Sequence, residues 1–414
     1  MQTHLSPEFH STPEGERARD IIHKCVHCGF CNATCPTYQL LGDELDGPRG
    51  RIYLIKQVLE GETATRSTQQ HLDRCLTCLN CQTTCPSGVE YGHLLDIGRK
   101  IVDARVQRPP AQRAVRWVLK EGITSPLFAT ALRIGRAMRP LLPAALKNKI
   151  PPLGAVDSRP ISAGAHRSRI LMLQGCAQPS LMPSIDAAAA RVLDRAGIQI
   201  VYAAGTGCCG AVRTHLGDQP GGLDDMRRNI DAWLPMIAAG GVEAIVTSAS
   251  ACSLAVKEYG HALSGDGEYG EKAARISALA RDLSELLPRL VPELQGKLRS
   301  GLPRLALHPP CTLQHGQALR GGIEPHLRAL GFDVEVAGSE SQMCCGSAGT
   351  YSLLQPQIAR QLRDRKLENL AKLEPQCIVS ANMGCIQHLQ SGTQIPVMHW
   401  IEVLDRALAA DSGA

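Results

Sequence analysis

Apolar positions along the chain fall into three regimes, and each predicts a different kind of structure. Between residues 48 and 61, Ile52, Ile55, Val58 and Leu59 recur at helical spacing, so PRGRIYLIKQVLEG reads as an amphipathic helix. Further on, Leu127, Leu132, Ile134, Met138, Leu141, Leu142 and Leu146 interleave with Arg133, Arg136 and Arg139. Prolines at Pro126, Pro140 and Pro143 cut that stretch into short helices. Beyond residue 166 short apolar runs alternate with helical stretches, which implies βαβ units and a parallel sheet.

The third regime occurs twice. SRILMLQGC and PRLALHPPC open the two copies, RAGIQIVYAAGTGCCG and ALGFDVEVAGSESQMCCG follow, and EAIVTSASAC and QCIVSANMGC close them. Matching cysteines (Cys176 and Cys311, Cys208 and Cys344, Cys252 and Cys385) keep a nearly constant separation, the mark of an internal repeat. Each cysteine falls just past the end of an expected strand, where open α/β sheets collect their ligands. The reading is a multidomain α+β chain: a helical N-terminal domain (15–100), a basic, proline-rich helical linker (101–165), and a duplicated α/β cysteine-rich unit (166–300 and 301–410).

Composition sharpens this. The chain has 414 residues, 17 of them cysteine, and only 3% aromatic, which disfavours a base-stacking surface for nucleic acid. The formal net charge is +5, yet residues 99–150 hold twelve Lys/Arg against only Asp103 and Glu121. That basic segment suits a solvated face, an acidic partner or an anionic lipid surface. The N-terminus lacks an apolar signal segment, and no stretch is long and apolar enough to span a membrane, so a cytoplasmic location is expected, with peripheral contact through 105–150 as one option. In such a compartment cysteines at regular short spacing point to metal rather than disulfides.

Two runs carry that spacing: Cys25-x2-Cys28-x2-Cys31-x3-Cys35-Pro36 and Cys75-x2-Cys78-x2-Cys81-x3-Cys85-Pro86. Three thiolates at steps of three wrap one corner of a [4Fe–4S] cluster, and the fourth, carried off before the proline, ligates the other cluster. The expected sets are therefore Cys25, Cys28, Cys31 and Cys85 for one cluster, and Cys75, Cys78, Cys81 and Cys35 for the other. Structural zinc is the competing reading, but paired knuckles separated by a longer loop are its usual pattern. Arg49 and Arg51 either steady an anionic cluster or lie solvated; the solvated reading is preferred for both.

The CCG turns, Cys208-Cys209-Gly210 and Cys344-Cys345-Gly346, aim neighbouring side chains at one site only if the backbone turns, which glycine allows. Each copy then offers four thiols: Cys176, Cys208, Cys209 and Cys252, and Cys311, Cys344, Cys345 and Cys385. They hold a further iron–sulfur cluster or form a cysteine-rich fold without metal. Cys377 opens an expected strand and reads as a buried structural thiol. His308 stands close to Cys311, either behind a ligand or as a packing residue. Gly205-Thr-Gly207-Cys-Cys-Gly210 misses the dinucleotide fingerprint, and no nucleophile–base pair is evident, so no catalytic residue is assigned.

The spacing between the two N-terminal runs resembles the helical ferredoxin of succinate dehydrogenase iron–sulfur subunits. The CCG copies are similar to the cysteine-rich domain of heterodisulfide reductase, except that Ala249 and Asn382 replace the first cysteine of that family's closing C-x2-C. Taken whole, and most clearly in CVHCGFCNATCPTY, GPRGRIYLIK and CLTCLNCQTTCPSGVEYGHLLDIGR, the chain resembles the glycolate oxidase iron–sulfur subunit family. The resemblance implies a subunit that passes electrons from flavin-containing subunits, oxidising glycolate to glyoxylate, to a membrane or quinone-type acceptor. Related lactate and glycerol-3-phosphate systems share this design, and a thiol–disulfide or quinone reductase acting at a CCG cluster is the alternative.

Overall fold

A computed structural model describes residues 1–141 and 166–408. The expected features at Leu142, Leu146, Lys147 and Lys149 lie outside the described residues.

The N-terminal domain is helical. Helices Pro13–Lys24, Pro48–Leu59, Arg66–Asp73 and Tyr91–Arg105 bury Ile22, Ile55, Leu59, Leu72, Leu94 and Leu95 in one core. Their starts are written locally. Thr12 caps the first through Gly15 N and is followed by Pro13, while Thr65 and Thr68 form a reciprocal capping box on the third. The second helix buries Ile52, Ile55, Val58 and Leu59, as the periodicity predicts. Gly98 brings the last helix close: a Cβ there would sit 2.5 Å from Ile55 Cγ1. Short helices after each cysteine loop complete the domain.

Helices Pro110–Thr124 and Phe128–Ala137 follow, and neither buries a residue. Part of their charge is matched within the protein itself. Arg108 and Arg116 both pair with Asp73, Lys120 with Asp218, and Arg136 donates to the carbonyls of Ser180 and Leu181. Trp117, Val118, Leu127, Ile134 and Met138 stay exposed.

The two copies are parallel α/β units. The first contains β1 (Ser168–Met172), β2 (Ile198–Val201), β3 (Val242–Thr247) and β4 (Ala280–Asp282) in the order β2-β1-β3-β4. The second contains β5 (Leu305–Leu307), β6 (Val334–Val336), β7 (Cys377–Ser380) and β8 (Val397–His399) in the order β6-β5-β7-β8. All pairs within both sheets are parallel. In each, the chain reverses its direction of winding at the central strand, and the cysteines gather beyond the carboxyl ends around that point. The fourth strands, β4 and β8, are not among the three runs per copy read from the sequence. They are three residues long, too short to show a period.

One apolar core joins the copies. Ile170, Met172 and Leu193 of the first share it with Leu307, Val379 and Trp400 of the second. Inside this contact Arg191 grips Asp405 with a bidentate pair, Nε–Oδ1 3.0 Å and Nη2–Oδ2 2.7 Å.

Candidate iron–sulfur sites

The two N-terminal cysteine loops have the same backbone shape. In the first, His27 and Gly29 take left-handed φ values of 58° and 85°; in the second, Thr77 and Leu79 take 54° and 59°. Three of these four are not glycine, and a non-glycine residue there costs about 1–2 kcal/mol. The alternation coils each loop around a centre, turning Cys25, Cys28 and Cys31, or Cys75, Cys78 and Cys81, toward it.

Two cavities result. One is lined by Cys25, Cys28, Cys31 and Cys85, with Cys81 in its wall. The other is lined by Cys35, Cys75, Cys78 and Cys81. The fourth cysteine of each run therefore lies in the other run's cavity. Electrostatics repeats the sorting. Burial, then Cys25, Cys28 and Cys85, pushes the Cys31 thiol up to about 11. Burial, then Cys78, Cys75 and Cys35, raises that of Cys81 well above its ordinary value. Four converging sulfurs with a largely apolar lining (Val26, Phe30, Ile52 and Val89 around the first) fit a [4Fe–4S] cluster. Two carboxylates or imidazoles per site, which a mixed zinc centre would use, are lacking among the lining residues.

The surroundings differ. Cys28 is exposed, and Val26 and Phe30 beside it are 68% and 63% exposed. Cys35, Cys75, Cys78 and Cys81 are all buried. The Cys75 sulfur accepts hydrogen bonds from Thr77 N (3.4 Å) and Tyr91 Oη (3.5 Å).

Arg51 corrects the sequence reading. It is 1% exposed, not solvated. Its guanidinium donates to His71 O (2.8 Å) and Thr37 Oγ1 (3.1 Å), and reaches Cys35 Sγ at 4.0 Å. Asp46, also buried, faces it at 3.5 Å and is held by His71 and Arg74. Burial alone would depress the Arg51 pKa, but Cys75, Tyr91, Cys35 and Asp46 outweigh it and raise the value. The sequence carries a signal for this: Arg51, Ile55 and Val58 share one helical stripe. Arg49 is partly exposed and pairs with Glu44 at 2.5 Å.

In the repeats, sulfur contacts run Cys176–Cys208–Cys209–Cys252 and Cys311–Cys344–Cys345–Cys385. The two turns share their hydrogen bonding: Gly210 N donates to Cys208 Sγ and Gly346 N to Cys344 Sγ, both at 3.4 Å. Gly210 and Gly346 have φ of 90° and 87°, and a Cβ on either would strike a helix carbonyl, Gly222 O or Ala359 O. Hydrogen bonds from Cys176 and Cys209, then from the amides of Gly210 and Val212, bring the Cys208 thiol down to about 3 against its burial. Cys377 opens β7, buried and apart from both sets.

The second copy rests on the N-terminal domain. Leu76, Cys78, Met343, Cys344 and Tyr351 share one apolar cluster. Tyr351 Oη donates to Arg74 O (3.0 Å), and Asn80 Nδ2 to Gln342 O (3.4 Å). This interface, and the buried Lys366 behind it, are not legible from spacing alone, because contacts between domains leave no periodic trace.

A helical domain with two four-thiol cavities, docked on paired parallel sheets with CCG turns, defines an iron–sulfur electron-transfer protein. A 4Fe-4S dicluster domain model matches residues 21–89, and a cysteine-rich domain model matches residues 170–257 and 305–390. The chain is 52% identical to the glycolate oxidase iron-sulfur subunit of Escherichia coli (strain K12), covering 99% of both chains. It is 29% identical to the probable glycolate oxidase iron-sulfur subunit of Bacillus subtilis (strain 168), covering 89% of this chain and 88% of that one. It is 27% identical to lactate utilization protein A of Geobacillus thermodenitrificans, over 54% of this chain and 92% of that protein. The chain belongs to the family of glycolate oxidase iron–sulfur subunits. No helix among the described residues is long and apolar enough to cross a membrane.

Proposed function

We propose that this chain is the electron-carrying subunit of a glycolate-oxidising complex, receiving electrons from flavin-containing subunits that convert glycolate to glyoxylate. Cys25, Cys28, Cys31 and Cys85 hold one [4Fe–4S] cluster, and Cys75, Cys78, Cys81 and Cys35 the other. When bound, such clusters supply one-electron carriers. The observation that carries the reading is the gradient of exposure. The Cys25 set opens to solvent beside Val26 and Phe30, an apolar rim suited to a partner protein. The Cys75 set is enclosed, with Arg51 offsetting its negative charge, and abuts the second CCG copy. The thiol sets thus run in order from a docking face to the interior, and the CCG thiols stand as further ligands at the inner end.

The exposed Trp117, Leu127 and Ile134, flanked by exposed Arg113 and Arg133, support a peripheral contact of the basic helices with a membrane that holds the acceptor. Liposome flotation that weakens in an R113E/R133E variant supports this contact, and unchanged flotation removes it. Arg136 is a poor choice for that test because it already serves Ser180 and Leu181.

The decisive experiment co-purifies the tagged chain anaerobically with its partners and adds glycolate, lactate or glycerol-3-phosphate in turn. The expected result is flavin subunits in the complex and reduced-cluster EPR signals with glycolate. Signals with lactate or glycerol-3-phosphate alone would reassign the substrate. Glycolate oxidation by the isolated chain would overturn the carrier role.

A further inference from the structure

His308 is 1% exposed, and neither of its ring nitrogens has a hydrogen-bond partner. A buried polar atom left unpaired costs about 1–3 kcal/mol, and here one ring carries two. The ring is not adrift. One His308 nitrogen and the sulfurs of Cys345 and Cys385 all lie within 4.8 Å of one another.

We infer that His308, Cys345 and Cys385 form a binding site for a single divalent metal ion of the zinc or ferrous class, separate from the two N-terminal clusters. The inference rests on the second copy being metal-bearing, and its experiment counts that metal apart from the cubanes. Bonds of about 2.3 Å to sulfur and 2.0–2.1 Å to nitrogen place the donors of one tetrahedral ion less than about 4 Å apart, which donors already within 4.8 Å of one another reach by a small inward movement. Thiolates at the corners of a cubane bind separate irons and stand wider. Two thiolates with an imidazole also select zinc or iron over the hard, oxygen-seeking cations.

Each donor comes from a different, fixed element. His308 follows β5 directly, its amide held by Val379 O at 2.8 Å. Cys345 sits in the glycine-locked turn. Cys385 rides on helix Met383–Gln390, with Asn382 Nδ2 donating to its sulfur at 3.5 Å. Lys366, 1% exposed, is anchored to the carbonyls of Glu340 and Ser341 and brings a positive charge toward Cys345 and Cys344. It offsets the charge that two or three thiolates would bury. Cys344, next in the chain and 3.9 Å from Cys311 between sulfurs, is the neighbouring thiol able to take the fourth position.

The first copy does not repeat this. Three residues before Cys176 stands buried Leu173, where three residues before Cys311 stands His308. Among the described residues only the second copy brings an imidazole within reach of its sulfurs, so the two copies offer different donor sets.

The test uses the full chain, purified anaerobically, with total iron, zinc and acid-labile sulfide measured for wild type, H308L and C385S. The expected result is one metal equivalent beyond the iron balanced by sulfide, lost in both variants, while sulfide content and the EPR of the reduced N-terminal clusters stay unchanged. Elemental analysis then says whether the ion is zinc or iron. Full retention of that equivalent in H308L, or its absence from wild type, overturns the site. Labile sulfide lost together with the metal overturns the single ion in favour of a cluster. Should H308L fail to fold, cobalt(II) exchanged into wild type decides the same question. Tetrahedral d–d bands with thiolate charge transfer support the site, and an octahedral spectrum without thiolate bands refutes it.

Discussion

Cys78 and Cys311 meet across the boundary between the N-terminal domain and the second repeat, where Cys311 packs against the apolar cluster that contains Cys78 and, after burial, does most to raise the Cys78 thiol's pKa. One belongs to a ferredoxin-type run and the other to a CCG set, so the inner thiol set of one domain abuts the thiol set of the next. The apolar cluster around Leu76, Met343 and Tyr351 seals the contact from solvent. Met343→Ala removes part of that seal. Its expected cost is about 2–5 kcal/mol, as for other buried large-to-small changes. Hydrogen exchange should quicken at both faces of the contact, and an unchanged exchange map would show that the contact does not hold the domains together.

The crosswise cavities predict a specific lesion. Cys35→Ser should degrade the cluster held mainly by Cys75, Cys78 and Cys81, leaving the other EPR signal in place. Selective loss of the Cys25-set signal would reverse the assignment.

Arg51 is the only arginine within reach of a cysteine sulfur among the described hydrogen bonds. Arg51→Leu removes its bonds to Thr37 and the His71 carbonyl and a positive charge beside Cys35. We expect a loss of about 1–3 kcal/mol in stability, and a more negative reduction potential for the inner cluster because added electron density is no longer offset. Arg51→Lys should recover part of the potential but less of the stability, since a lysine cannot reproduce the planar fork. Potentiometric EPR titration separates the two effects.

Much of this is legible in the sequence, and the limits have physical causes. The paired C-x2-C-x2-C-x3-C-P runs encode the loop, its four thiols and the proline that starts the next helix, all within a dozen residues. The repeat shows itself because both copies keep their CCG turns. Arg51 reads as solvated when a charged residue on an apolar stripe is weighed by its type and not by its position. Spacing does not decide whether His308 is a ligand or a packing residue, since that depends on whether Val379, Cys345 and Cys385 surround it, and these lie on distant strands and turns. Strands β4 and β8 pair through backbone hydrogen bonds that any three residues can make.

His399 ties the copies together and should make stability depend on pH. It is fully buried, donates from Nε2 to Ser248 O (2.9 Å), and accepts at Nδ1 from Ile401 N (3.2 Å), capping the last helix. The bond from Ile401 N needs the neutral ring, whereas the bond to Ser248 O survives protonation. Burial lowers its pKa to about 4, despite the Ser248 carbonyl. With an unfolded value near 6.5, the unfolded chain binds more protons between about pH 6.5 and 4, so this contribution is present above that window and lost as pH falls through it. The expected loss on going from pH 7 to 5 is on the order of 1–2 kcal/mol. Thermal unfolding at both values checks it, and His399→Asn, which can still cap the helix, should flatten the difference.

The opening at Cys28 has a cost as well as a use. The exposure that lets a partner dock within electron-tunnelling distance also lets dioxygen approach, and it attacks exposed iron–sulfur centres first. Decay in air should therefore follow the gradient of exposure: the Cys25-set cluster goes early, while the inner set, shut behind Met343 and Tyr351, persists. The intact complex would then protect its most fragile cofactor simply by remaining assembled, with the partner acting as a stopper.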